Sequence, residues 1–116
     1  MQLVDTALRG AVSMARRGDP VAVRALLAAA RHQLGLIAER YAAHPFQSQR
    51  RELLIASRAL QKLGGEAADP GQFAVSAYAW RARFANGLAQ RLRQKERLSL
   101  YNPGNLLFVA PQQNNR

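Results

Sequence analysis

Between Pro20 and Tyr41 the apolar side chains recur at helical spacing. At about 100° per residue, Val23, Leu26, Leu27, Ala30, Leu34, Ile37, Ala38 and Tyr41 fall in one sector about 120° wide. Burying such a stripe contributes on the order of 10 kcal/mol before entropy is counted. The segment also has a defined start, because Asp19 suits an N-cap and Pro20 the first turn. Behind the main stripe lies a weaker one of Ala22, Ala25, Ala29 and Leu36. Small residues there permit close helix approach, so this helix either sits centrally in a bundle or holds a partner on its back.

The same punctuation recurs along the chain. A first helix over 3–17 has Val4, Ala7, Leu8, Ala11 and Ala15 on one face, and Gly18 can take the left-handed stop conformation. Stop and start are adjacent, which predicts a tight antiparallel hairpin. His44-Pro45-Phe46 breaks the chain. A third helix over 48–63, with Ser48 as cap, turns Leu53, Ala56, Leu60 and Leu63 inward and ends at Gly64-Gly65. Asp69-Pro70 repeats the cap-and-proline start and opens a fourth helix that runs to about Leu98. The expected fold is all-α, an antiparallel four-helix bundle over residues 1–100 with an irregular tail over 101–116.

In the fourth helix Phe73, Ala77, Trp80, Phe84 and Leu88 share a narrow face, and Tyr78 is the one aromatic off it. A straight helix places Arg91 and Lys95 on that same face, with Arg93 and Arg97 on the other side. Unpaired charges resist burial, so the last turns are expected to project into water or onto an acidic partner. The chain as a whole carries 17 basic and 7 acidic residues, a net charge of +10, and 15 of the basic residues are arginine. Guanidinium forks suit phosphates and carboxylates. Arg81, Arg83, Arg91, Arg93, Lys95 and Arg97 are therefore candidate partner-binding residues, with Ala25, Ala29 and Leu36 on the back of the second helix. The run Leu106, Leu107, Phe108, Val109 and Ala110 either folds back over the bundle or makes a tail contact with a partner.

Catalytic patterns are missing from the sequence. With no cysteine, disulfides, thiolate metal sites and cysteine nucleophiles are excluded. His32 and His44 belong to no spaced ligand set, and the serines have no nucleophile-elbow context. The expectation is a non-enzyme without cofactor or metal. No unbroken apolar run of about 18 residues occurs and no signal peptide pattern opens the chain, so a cytoplasmic protein without a membrane span is expected.

Two stretches resemble bacterial flagellar export chaperones. One is Ala7-Leu8-Arg9-Gly10 through Ala15-Arg16-Arg17-Gly18-Asp19-Pro20 to Val23-Arg24-Ala25-Leu26-Leu27. The other is Arg91-Leu92-Arg93-Gln94-Lys95-Glu96-Arg97 with Leu100-Tyr101-Asn102-Pro103-Gly104. The resemblance implies a small helical protein that binds the helical end of a secreted flagellar subunit and keeps it unpolymerised until export. From the residues themselves the expected partner is an amphipathic protein helix. The alternatives are nucleic acid, as in a phage or virion component using the basic fourth helix, and a structural subunit that forms homo-oligomers through its tail.

Overall fold

The structure, a computed structural model, describes residues 1–42 and 47–101. Helices and turns, and no strand, occur among the described residues, so the chain is all-α. Helix α1 spans Gln2–Arg16, α2 Pro20–Arg40, α3 Gln47–Gly64 and α4 Pro70–Trp80. A π-helical segment, Arg81–Leu88, continues α4 directly into α5, Ala89–Tyr101. The expectations for His44 and for the tail contact Leu106, Leu107, Phe108 and Val109 lie outside the described residues.

Local chemistry sets the helix limits. Gly18, at φ 72°, is the one described glycine with positive φ, and it stops α1 as a residue free of a Cβ can. Asp19 then accepts from Ala22 N at 3.0 Å, and Asp69 accepts from Gln72 N at 3.2 Å. Each carboxylate satisfies one of the orphan donors at its helix start. Ser48 is not the cap of α3: the helix begins a residue earlier, and the Ser48 hydroxyl bonds Gln49 Oε1 at 3.1 Å. The chain leaves α3 through tightened turns, Gly65 N to Lys62 O at 3.1 Å and Glu66 N to Leu63 O at 2.9 Å.

Packing follows the stripes. α1 packs on α2 and on α4, and α3 packs on the same two helices. Gly10 lets α1 approach α2 closely, since a Cβ there would come within 3.3 Å of Leu26 Cδ1. The core holds Val4 and Leu8 from α1, Val23, Leu27 and Leu34 from α2, and Leu53 and Leu60 from α3, opposite Phe73 and Trp80 from α4. Leu26, Ile37 and Ala7, expected inside, are half-buried at its margin. The Trp80 indole donates to Ala56 O at 3.0 Å, so the buried N–H does not go unpaired.

The π-helical segment changes the register of everything after it. At about 100° per residue, steps of four overshoot a full turn by about 40°, so the Trp80–Phe84–Leu88 series would drift off the core in a straight α-helix. An i→i+5 ladder underwinds the chain and cancels that drift. Phe84 and Leu88 stay 3% and 0% exposed, and the stripe runs on to Leu92 at 4%. The expected changeover at Arg91 is therefore corrected. Leu92 takes the buried position, while Arg91 turns outward and pairs with Glu52 of α3 at 2.6 Å.

Candidate functional site

Two exposed regions differ sharply in chemistry. The first is the outer face of α2, opposite the stripe that enters the core. Val21, Ala25, Ala28, Ala29 and Leu36 all lie exposed there, Val21 at 66% and Leu36 at 48%. His32 shares this face, and no Lys, Arg, Asp or Glu enters it from Val21 to Leu36, about 24 Å of helix. Arg24 and Arg31 stand to one side, where with Leu27, Leu60 and Gly64 they line a shallow groove toward α3. By length and composition α2 is also apolar enough to cross a membrane, yet only 28% of its apolar stretch is buried within the fold. The expectation of no span looked for an unbroken apolar run; a mean hydropathy of 1.3 arises here despite interspersed charges.

The second region is a cleft of about 560 Å³ between α1 and α4. Arg9, Arg16 and Arg17 line it from α1, and Tyr78 and Arg81 from α4 and the residue following it. Val12, Ala74 and Ala77 form its floor, and Ser13 adds a hydroxyl. Tyr78 is 70% exposed, the highest value among the exposed large apolar side chains. Asp5, one turn before Arg9, accepts from Arg81 Nε at 2.5 Å and pairs with Arg9 Nε at 3.2 Å. Its hydrogen bond raises the Arg81 pKa further, against the opposing effect of burial, so this guanidinium stays charged. A second hollow of about 480 Å³ lies toward the start of α1, lined by Asp5 itself with Gln2, Asn86, Gln90 and Arg93.

The six basic residues expected to act together are dispersed. Arg81 belongs to the cleft, and Arg93 to the hollow beyond it. Arg83 lies exposed with its guanidinium 4.7 Å from the centre of the Phe84 ring. Arg91 faces α3, Lys95 is half-buried and Arg97 is exposed. Ala25, Ala29 and Leu36 lie on the far side of the core from Arg81, so these nine residues do not make one surface.

Arg9, Arg16 and Arg17 were not among the residues expected to meet a partner. Arg16 and Arg17 read locally as cations at the negative pole of α1, and nothing local to them announces Tyr78. Most of the acids have partners outside the cleft. Asp19 and Asp69 cap helices; Glu66 accepts from the Ser76 hydroxyl at 2.5 Å, and Glu96 accepts from the Tyr41 hydroxyl. Among the described residues only Asp5 and Glu52 form ion pairs, with Arg9, Arg81 and Arg91. Burial and the bond to Glu96 push the Tyr41 phenol up to about 12. No three His, Cys, Asp or Glu side chains among the described residues come together as a metal set.

No family model matches this chain, and no curated protein or solved structure does either.

Proposed function

We propose that the protein is a non-enzymatic adaptor, of the export-chaperone kind, that holds an amphipathic helix of a cytoplasmic protein partner along the outer face of α2. One observation carries the reading: α2, the one described helix long and apolar enough to cross a membrane, leaves most of its apolar stretch unburied. A face about 24 Å long, free of Lys, Arg, Asp and Glu and apolar except for His32, remains at an energetic cost in water until something covers it. Small side chains at Ala25, Ala28 and Ala29 offer a smooth bed between the larger Val21 and His32, with Leu36 one turn further on. A partner helix would set its i, i+3, i+4 and i+7 anchors there. Arg24 and Arg31, along one edge, would favour acids on that flank of the partner. The order of packing, with α1 and α3 each against α2 and α4, supports an antiparallel four-helix bundle as the scaffold.

A photo-crosslinking side chain at Ala29 tests the reading in cells. The expected product joins the full chain to a helical segment of one protein, and Leu36→Asp abolishes both the adduct and co-purification. Recovery of the same partner with Leu36→Asp, or crosslinking to lipid instead of protein, would refute it.

A further inference from the structure

We infer that the cleft between α1 and α4 binds a single strand of nucleic acid, with phosphates on its arginines and an unpaired base stacked on Tyr78. The inference is independent of helix docking on α2, because the two sites occupy opposite sides of the core.

Three features of the cleft converge on this ligand. Its cations form a row and not a knot: Arg9 and Arg16 are separated by about 10 Å along α1 at 1.5 Å per residue. A row tracks a polymer of phosphates, whereas a single phosphate needs only converging groups. Next, Tyr78 presents its ring to solvent at 70% exposure beside those guanidiniums. An aromatic face set in a cationic groove is the arrangement that holds unpaired bases, and every base offers a face to stack on. Finally, the adjoining hollow exposes the amides of Gln2, Asn86 and Gln90, donors and acceptors suited to base edges, while the Asp5 carboxylate in its wall disfavours phosphate there and leaves the phosphates to the arginines of the cleft.

The helix dipole accounts for Arg16 and Arg17, which end α1. It accounts for neither Arg9, two turns earlier, nor Arg81 and Tyr78 on the opposing wall. Asp5 neutralises part of this charge, but it also fixes Arg9 and Arg81 in place across the cleft. That arrangement leaves about three phosphates to be neutralised and predicts a slope of log affinity on log salt near −2 for a single strand. A duplex hides its base faces and cannot use Tyr78.

Fluorescence anisotropy on the full chain provides the test. The probes are a labelled oligothymidylate, an abasic strand with the same phosphates, and polyglutamate, each titrated across a salt series. The oligothymidylate is expected to bind about tenfold more tightly than the abasic strand. Tyr78→Ala should bring it down to the abasic level without changing the salt slope. Arg16→Gln with Arg17→Gln should flatten that slope by about 1.4. Arg24→Gln with Arg31→Gln removes equal charge on the other side and should change affinity less than about twofold. All five positions are exposed, so these variants keep the core intact. Equal binding of the base-bearing and abasic strands overturns the inference. So does equal loss in the two arginine pairs, which indicates diffuse attraction, or polyglutamate binding as tightly as the oligonucleotide.

Discussion

From Val21 to Leu36 the outer face of α2 carries no Lys, Arg, Asp or Glu, whereas the cleft across the core gathers four arginines around an exposed tyrosine. α1 and α3 each pack on both α2 and α4, so these surfaces look away from each other. Both arise from one rule, the assignment of every third or fourth residue to a shared core. What the outward positions carry sets the difference. Cover over the α2 face would draw on apolar burial, which salt leaves largely intact. Attraction into the cleft would be screened as salt rises. If both surfaces are occupied as proposed, rising salt should release the ligand of the cleft and leave the α2 partner largely in place.

Removing what the two faces share gives the largest expected effect. Phe73 is fully buried among side chains of the other helices, and Phe73→Ala should cost about 3–5 kcal/mol. Urea unfolding should show the loss, and crosslinking at Ala29 and oligonucleotide binding should fail together. If either activity survives unfolding of the other, the common core is not what supports both.

The next effect concerns the end of the fold where α2 meets α5. Tyr41 is 7% exposed and its hydroxyl donates to Glu96. Burial and the bond to Glu96 raise its folded pKa to about 12, above the ordinary phenol value of about 10. The unfolded chain therefore releases this proton first, and stability present below pH 10 is lost as pH rises through 12. Wild type should exceed Tyr41→Phe at neutral pH by on the order of 1 kcal/mol, and the gap should close between pH 10 and 12. Denaturant midpoints across that range measure it. A constant gap would mean that the phenol titrates normally. Crosslinking at Ala29 should be unaffected, because Tyr41 faces inward.

Helix caps separate the faces more directly. Asp19 caps α2 and Asp69 caps α4, and replacing either by Ala should cost about 1 kcal/mol. Fraying at Pro20 and Val21 should weaken helix capture, since Val21 begins the apolar face. Fraying at Pro70 lies two turns before Tyr78 and should leave oligonucleotide affinity nearly unchanged. Matched losses at both faces from either variant would show that the caps act only through global stability.

The buried stripes were legible because each depends on spacing within one helix. Val4, Leu8, Leu53, Leu60 and Phe73 needed no knowledge of neighbours to be placed inside. The two Asp-Pro starts were equally local, as carboxylate and capped amide lie three residues apart. What escaped depends on departures from regular geometry or on distant pairing. A constant 100° per residue cannot anticipate the underwinding at Arg81–Leu88, which brings Leu92 onto the core in place of Arg91. Nor does any local pattern reveal that Arg9 and Arg81, 72 positions apart in the chain, share the carboxylate of Asp5. The outer face of α2 was legible as a second stripe, but its contrast with the cleft required both helices in place.

The smallest effect is expected at the ion pair that replaced the imagined charged tip. Arg91 and Glu52 approach to 2.6 Å, but their side chains are 52% and 40% exposed. Solvent screens such a pair, and ordering two long side chains offsets much of the Coulomb gain. Arg91→Ala should therefore shift stability by about 0.5 kcal/mol or less, against the larger loss expected had Arg91 occupied the stripe. Arg91→Leu separates these alternatives. On a buried stripe leucine would stabilise the fold, whereas at this outward position it should leave the unfolding midpoint nearly unchanged. Because Arg91 lines neither surface, both variants should also retain oligonucleotide binding and helix capture. A selective loss of oligonucleotide binding would extend the cationic region beyond the cleft and narrow the contrast between the two faces.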